Sequence, residues 1–180
     1  MTGPEATGPE ATEPEAWIEL PDAAATRAYG LALAGMLRAG DLVLLSGALG
    51  AGKTTLTQGI GAGLGVRGQV ASPTFIIARV HPSLGDGPAL VHVDAYRLSS
   101  LDEVEALDLE TSLEESVTVV EWGSGLLEAL APDRLEIDIE RPHGGLDLAS
   151  DDPDPAGGTR TVHIRARGRR WSAVQFPVVS

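Results

Sequence analysis

The residues with the clearest chemistry lie in one short stretch, GALGAGKTT at positions 47–55. Gly47, Gly52, Lys53 and Thr54 match every fixed position of the phosphate-binding pattern GxxxxGK followed by Ser or Thr. In such a loop, glycines let backbone N–H groups converge on a phosphate, and the next helix adds the positive end of its dipole. We therefore predict that Lys53 reaches the β and γ phosphates of a nucleoside triphosphate and that the Thr54 hydroxyl ligates Mg²⁺.

Composition supports a special role for Lys53. It is the only lysine in 180 residues, and every other strong cation is an arginine. A planar guanidinium does not replace a compact ammonium in such a loop, so lysine is kept where the chemistry needs it. We expect its side chain to face solvent at the loop and to contribute little to the core. The predicted nucleotide-binding residues are Gly47, Leu49, Gly50, Ala51, Gly52, Lys53, Thr54 and Thr55.

Two elements must position this loop. Before it, the unbroken apolar run at 42–45 is typical of a strand that is buried on both faces of a parallel sheet. After it, Leu56, Ile60 and Leu64 recur at helical spacing. One stripe of this helix is therefore predicted to face the sheet while its N-terminus opens onto the loop.

Segments on either side complete the predicted fold. An amphipathic helix is predicted over 23–37, with Asp22 as its N-cap and Gly40 as its stop. Late strands at 134–140 and 160–167 alternate polar and apolar residues and are predicted to be antiparallel additions at the sheet edge. These patterns predict a three-layer α/β fold like that of P-loop NTPases, with a mostly parallel central sheet and antiparallel edge strands.

Three segments after the P-loop helix are predicted to bring polar residues toward the phosphates. In ASPTFIIARV, at 71–80, Pro73 excludes a helix, and Ser72 and Thr74 supply hydroxyls at the entrance of a strand. A hydroxyl in this place can sense the γ-phosphate or Mg²⁺, as switch segments do. On its own, the pattern would be explained better by an ordinary turn into a strand.

The second segment is LVHVDAYRL at 90–98, where period-2 alternation puts His92, Asp94 and Tyr96 on one face. Asp94 is placed to orient an attacking water or to ligate Mg²⁺. His92 is predicted to be a structural hydrogen-bonding residue rather than a catalyst. The predicted catalytic residues are therefore Lys53, Thr74 and Asp94.

The third segment is SVTVVEWGSG at 116–125, in which Glu121 follows a buried strand at its carboxyl end. Open α/β sheets bind ligands at that end, and a carboxylate there is costly unless it is paired or bound to metal. Glu121 is therefore the preferred second Mg²⁺ ligand beside Thr54, with Asp94 as its rival. Trp122 is predicted to be a packing residue.

Length and composition limit the number of domains and the expected location of the protein. With 43% hydrophobic residues the chain can fill one sizeable core, so residues 17–180 are predicted to form a single domain. The stretches 1–16 and 142–158 hold eight of the 26 acidic residues and are predicted to be a disordered Pro/Glu/Ala-rich tail and a flexible loop. The chain has no cysteine, no apolar run of membrane-spanning length and no signal peptide, so a cytoplasmic location is expected.

Without those eight acidic residues, 18 acidic and 13 basic residues remain, so the net charge of −13 falls to about −5. That modest charge and the absence of a basic stripe argue against a dedicated nucleic-acid binder. One group of arginines near the C-terminus is predicted to be solvated strand charge rather than a contact for RNA or a partner. Its members are Arg160, Arg165, Arg167, Arg169 and Arg170.

In this order and spacing, the motifs LSGALGAGKTTLTQGI, SPTF, HVDAYRL, VVEWG and PDRLEIDIE resemble the TsaE family, also called YjeE. The resemblance covers roughly residues 17–141 and continues into the final strands. Many proteins share the P-loop alone, whereas the three motifs that follow it are specific. The acidic repeat at the N-terminus and the 142–158 loop are departures that leave the site assignments intact.

The resemblance implies a small ATPase needed to form threonylcarbamoyladenosine on tRNA, next to the anticodon. It implies ATP and Mg²⁺ as cofactors, weak intrinsic hydrolysis, and action in a complex with TsaD and TsaB, through which the protein meets tRNA indirectly. Carried over by motif, residues 47–55 would hold the phosphates and Thr54 and Glu121 the Mg²⁺. Asp94 would assist the attacking water, and Thr74 would lie in a switch-like segment.

Two alternatives stay open at this point. A small-molecule kinase would share the loop and Mg²⁺, but it would need an acceptor pocket and usually an arginine-bearing lid. A nucleotide-dependent assembly module, for which hydrolysis is incidental, would use the same residues as an ATPase.

Overall fold

The computed structural model describes residues 13–71, 78–96, 109–122, 125, 127–128, 131–141 and 158–178. These residues build one seven-stranded sheet with strand order β1-β7-β6-β2-β5-β4-β3. Along the chain, the strands and helices are β1 Glu15–Leu20, α1 Ala23–Ala34, β2 Leu42–Ser46, α2 Lys53–Leu64, β3 Ala78–His81, β4 Ala89–Asp94, α3 Leu109–Glu115, β5 Ser116–Glu121, β6 Arg134–Glu140 and β7 Arg160–Arg167.

The middle of the sheet is parallel and its flanks are antiparallel. β2 pairs in parallel with β5 on one side and β6 on the other, and β4 pairs in parallel with β5. β3 is antiparallel to β4 at one edge, while β7 is antiparallel to β6 and is followed by antiparallel β1 at the other. The predicted fold class is confirmed.

Apolar residues on both faces of β2 explain its central place. Val43 and Leu45 join a core with α1 and α2, and Leu42 and Leu44 join a second core on the opposite face with Leu113 of α3. Each of these four apolar residues of β2 is at most 1% exposed. A strand buried on both sides needs a layer on each face, and this produces the three-layer architecture.

Helix α1 starts where the sequence predicts and stops earlier. The Asp22 Oδ1 atom accepts a hydrogen bond from the Ala25 backbone N–H at 2.7 Å, so Asp22 is the N-cap. The predicted end at residue 37 is wrong, because the helix ends at Ala34 and Gly35 caps it. The chain then tightens into a turn with i to i−3 hydrogen bonds, as from the Met36 N–H to the Leu33 carbonyl.

Helices α1 and α2 approach each other closely through glycines. A Cβ added at Gly59 would collide with the Arg27 carbonyl of α1, and one added at Gly30 would collide with the Leu56 carbonyl of α2. Backbone therefore lies on backbone at this contact. Because α2 begins at the end of the loop, the contact fixes the helix that carries the loop against the rest of the domain.

The prediction for 134–140 was wrong in one respect. β6 is not an antiparallel edge strand but lies inside the sheet, parallel to β2. Its alternating pattern arises because Leu135, Ile137 and Ile139 face the core while Glu136 and Asp138 meet arginines of β7 on the other face. Among the described residues, these ion pairs rather than a helix lie on that second face. A strand with paired charges on one face shows the same alternation as a strand with one face in solvent, so the sequence pattern does not distinguish the two.

Three element boundaries in the structure differ from the predicted ones. The domain begins before residue 17, because β1 starts at Glu15 and was not predicted as a strand. β4 ends at Asp94, so Tyr96 lies beyond the strand rather than on its polar face. β3 begins at Ala78, and residues 72–77, with Ser72 and Thr74, lie outside the described residues, as do 1–12 and 142–157.

Among the helices that the structure describes, none is long and apolar enough to cross a membrane.

Replacing Gly59 with alanine tests the close helix contact. Alanine favours a helix by about 1 kcal/mol over glycine, but forced overpacking costs about 1–3 kcal/mol, and here the obstacle is backbone that cannot rotate away. We expect G59A to lower the Tm by several degrees in thermal unfolding followed by circular dichroism. Gly85 has no atom within 4 Å of an added Cβ, so G85A is the matched control and should leave the Tm unchanged. A rise in Tm for G59A would contradict the packing described.

Candidate functional site

The loop at 47–52 connects the buried β2 to the N-terminus of α2. Gly52 is the N-cap residue with φ 116°, a left-handed conformation that favours glycine. No side chain caps α2, so the first backbone N–H groups of the helix are available to an anion. The residues there are partly open to solvent: Thr54 and Thr55 are half-buried and Leu49 is 94% exposed. The loop and the uncapped first turn of α2 together form a cradle of the predicted shape, and phosphate binding there stays a prediction.

Lys53 lies inside this cradle rather than in solvent. The expectation that it faces solvent is wrong, since it is only 5% exposed. Its Nζ donates hydrogen bonds to the carbonyls of Gly47 at 2.8 Å and Ala48 at 3.0 Å, and lies 3.9 Å from the centre of the Trp122 ring. Burial lowers the pKa of Lys53, and the nearby carboxylates of Glu121 and Asp94 oppose that shift.

Two polar side chains, those of Thr54 and His92, contact one carboxylate oxygen of Glu121 beside the loop. The Thr54 hydroxyl donates to Glu121 Oε1 at 3.0 Å, and His92 Nε2 lies 2.8 Å from the same oxygen. Glu121 is 3% exposed and His92 is fully buried. The two residues predicted to hold Mg²⁺ are thus in contact, although 67 positions separate them in the chain.

Strand register explains why these residues meet. In the parallel pairing, Leu45 at the end of β2 stands opposite Glu121, and Glu121 stands opposite Asp94. Glu121 is therefore on the strand next to the loop, while Asp94 is one strand further away. The sequence preference for Glu121 over Asp94 as the ligand beside Thr54 agrees with this order.

Asp94 takes a different position. It is half-buried at the end of β4, and its Oδ1 accepts a hydrogen bond from the Tyr96 backbone N–H at 3.0 Å. Its charge acts on Lys53, whose pKa it raises against the effect of burial. Asp94 therefore lies on the Lys53 side of the site without a hydrogen bond to Thr54 among the described contacts. The third predicted catalytic residue, Thr74, is outside the described residues.

Trp122 was predicted to be a packing residue, and the structure gives it a second role. Its ring forms a cation–π contact with Lys53 and an edge contact with Tyr96, whose centroid is 5.4 Å away. Its backbone has φ 64°, which is uncommon for a residue with a bulky side chain. The sequence feature that could have indicated this contact is the position of Trp122 directly after Glu121, where the chain leaves the sheet beside the loop.

Arg160 is the other residue whose position the sequence did not reveal. It was grouped with solvated strand arginines, but it is 2% exposed. A Cβ added at Gly52 would lie 3.3 Å from Arg160 Nε and 3.7 Å from a methyl carbon of Thr26, so the guanidinium packs against the loop at Gly52. Arg165, Arg167 and Arg170 are also not free charges, because each forms an ion pair with a carboxylate.

The donor set fits Mg²⁺. A hydroxyl oxygen and a carboxylate oxygen are hard ligands, and Mg²⁺ in nucleotide sites uses one or two protein oxygens, with waters and phosphates completing the octahedron. No cluster of three or more His, Cys, Asp or Glu side chains suited to a metal occurs among the described residues.

Comparison with known proteins identifies close relatives. The family "Threonylcarbamoyl adenosine biosynthesis protein TsaE" matches residues 20–145. The tRNA threonylcarbamoyladenosine biosynthesis protein TsaE of Streptomyces coelicolor is 59% identical over 155 residues, which cover 86% of this chain and 99% of that protein. The Bacillus subtilis protein of the same name is 41% identical over 118 residues, covering 64% of this chain and 72% of that protein. The crystal structure of Bacillus subtilis YdiB matches with a TM-score of 0.64 and 30% identity, over 90% of this chain and 92% of that chain.

Replacing Lys53 with alanine tests the cradle. A hydrogen bond to a charged group contributes about 1.5–3 kcal/mol, so K53A should lose at least about tenfold in affinity for a nucleoside triphosphate. Isothermal titration calorimetry measures this loss. R79A removes a cation from an exposed position on β3 and serves as the charge-matched control, with unchanged affinity. Equal affinities for K53A and the unsubstituted protein would refute the assignment of this loop.

Proposed function

Because the chain belongs to the TsaE family of threonylcarbamoyl adenosine biosynthesis proteins, we propose that it is a Mg²⁺-dependent P-loop ATPase that supports formation of threonylcarbamoyladenosine on tRNA. It acts with homologues of TsaD and TsaB and meets tRNA through that complex. We also propose a cytoplasmic location, because ATP and tRNA are both available there.

One observation carries the nucleotide-binding part of this proposal. The uncapped N-terminus of α2 lies beside a buried lysine and a hydroxyl that already touches a buried carboxylate. An uncapped helix end attracts anions, a buried ammonium needs a negative partner, and the two oxygens suit a divalent cation. A triphosphate with Mg²⁺ supplies an anion for the helix end, negative charge for the lysine and a cation for the two oxygens. An ordinary glycine-rich turn would not need these three groups to lie together.

Each residue has a separate task in the proposed reaction. The backbone of residues 47–53 binds the phosphates, and Lys53 exchanges its hydrogen bonds to the Gly47 and Ala48 carbonyls for phosphate oxygens. Thr54 and Glu121 hold Mg²⁺, which when bound neutralises charge on the β and γ phosphates. Asp94, one strand further from the loop, orients the attacking water.

We propose that turnover of the isolated protein is slow. In small P-loop proteins, an arginine supplied in cis or by a partner greatly accelerates hydrolysis. Among the described residues, Lys53 lies in the cradle, Arg160 packs against Gly52, and Arg165 is held in an ion pair with Asp138. A partner that supplies a cation or orders the segment at 72–75 would therefore raise the rate.

The test of function compares ATP hydrolysis by the isolated protein, by the protein with TsaD and TsaB, and by the protein with trial small-molecule acceptors. Modification of tRNA is measured in parallel. We expect slow hydrolysis alone, faster hydrolysis with TsaD and TsaB, and ATP-dependent tRNA modification. Phosphate transfer to an acceptor would instead identify a kinase, and full tRNA modification without hydrolysis would identify an assembly module.

Separate substitutions at the two acidic residues distinguish their roles. E121A should weaken Mg²⁺-dependent ATP binding, because it removes a metal ligand. D94A should lower turnover while ATP affinity is largely kept, which is the result expected of an interaction confined to the transition state. Calorimetry gives the affinity, and phosphate release with TsaD and TsaB present gives the turnover. Phosphate release by D94A at the rate of the unsubstituted protein would show that Asp94 has no role in hydrolysis, and slow hydrolysis with normal tRNA modification would contradict a need for ATP turnover.

A further inference from the structure

His92 is a buried polar residue that the proposed reaction does not use directly. It is fully buried in β4, and its Nε2 lies 2.8 Å from Glu121 Oε1. The Thr54 hydroxyl donates to that same oxygen at 3.0 Å. One oxygen of the proposed metal ligand is therefore held from two sides, by the first turn of α2 and by the strand that flanks β5.

The surroundings of the ring define its hydrogen bond. His92 Nδ1 is buried without a hydrogen-bond partner among the residues that the structure describes. A buried N–H without an acceptor is costly, so we place the ring hydrogen on Nε2, which faces the Glu121 oxygen, rather than on Nδ1. In that tautomer, Nε2–H donates to Glu121 Oε1.

The position of His92 in the sheet does not require a polar side chain. Its neighbours Val91 and Val93 are buried apolar residues of the same strand, and Val119 stands opposite it on β5. An apolar residue would fill such a place without the cost of burying an imidazole. The contact with Glu121 supplies the reason for a histidine, since it is the partner that compensates the buried ring.

We propose that His92 is a positioning residue that orients the Glu121 carboxylate toward Mg²⁺. This inference rests on the proposed function, because it assigns the metal to Thr54 and Glu121. Carboxylate ligands in metal sites are themselves hydrogen-bonded, and loss of such an outer partner typically lowers metal affinity by about 10–100-fold. His92 itself touches neither the nucleotide nor the metal.

Three substitutions separate a positioning role from a packing role. H92L fills the volume but cannot donate. The amide nitrogen of Gln falls near the place of the imidazole Nε2 and can reach Glu121, whereas that of Asn falls near Nδ1 and cannot. H92Q and H92N therefore differ in reach while both bury an amide. T118V, a buried change on β5 away from Glu121, is the control.

The main readout is binding of a non-hydrolysable ATP analogue by calorimetry, in MgCl₂ and in EDTA. The ratio of the two affinities measures how strongly Mg²⁺ is coupled to the nucleotide. We expect H92L and H92N to lower this ratio about tenfold or more with the EDTA affinity within about twofold of the original protein. H92Q and T118V should keep the ratio, and Tm values identify any general loss of stability.

The outcomes separate this inference from the function on which it rests. If the original protein binds the analogue equally well in MgCl₂ and EDTA, the proposed Mg²⁺ site fails and this inference fails with it. If the original protein shows the coupling and H92N retains it, only the role of His92 is refuted. A lower Tm for all three His92 variants with unchanged coupling would likewise show packing alone. Should H92L fail to fold, the comparison of H92Q with H92N still decides.

Discussion

The parallel pairing of β2, β5 and β4 is the constraint on which the site depends. It places Leu45, Glu121 and Asp94 side by side at the carboxyl ends of three strands, immediately before the chain enters the loop or leaves the sheet. Neighbouring strands lie about 4.8 Å apart, so this register alone brings two carboxylates to the mouth of the loop. A shift of one residue in β5 would turn Glu121 to the other face of the sheet and separate it from Thr54.

The site also depends on a fixed position of α2 relative to the carboxyl ends of β2, β5 and β4. Gly59 and Gly30 allow α1 to lie directly on α2, and Leu56 and Ile60 anchor α2 to the sheet. The N-terminus of α2 is thereby fixed while its N–H groups remain uncapped by side chains. A rigid helix with a free N-terminus costs little to organise when a phosphate arrives, because the donors already point in one direction.

Burial gives the site its electrostatic character. Lys53 and Glu121 are both almost fully buried, and the charge of Lys53 interacts with the carboxylates of Glu121 and Asp94. In a poorly hydrated place each charge needs a partner, and in this structure Lys53 uses loop carbonyls and the face of Trp122. These contacts keep the ammonium in the cradle, beside the place where phosphates would bind.

The sequence by itself determined the strand–loop–helix unit around residues 47–55, the N-cap at Asp22, the α/β class and the placement of Glu121 at a strand end, because each depends on local pattern and spacing. It could not determine that β6 lies inside the sheet, since ion pairs with β7 give the same alternation as solvent. Only the tertiary structure decided that Lys53 and Arg160 are buried, that Trp122 contacts Lys53, and that His92 and Thr54 meet on one oxygen of Glu121. Those facts arise from contacts between elements far apart in the chain, and local periodicity carries no information about which distant side chain will fill the space beside a given residue.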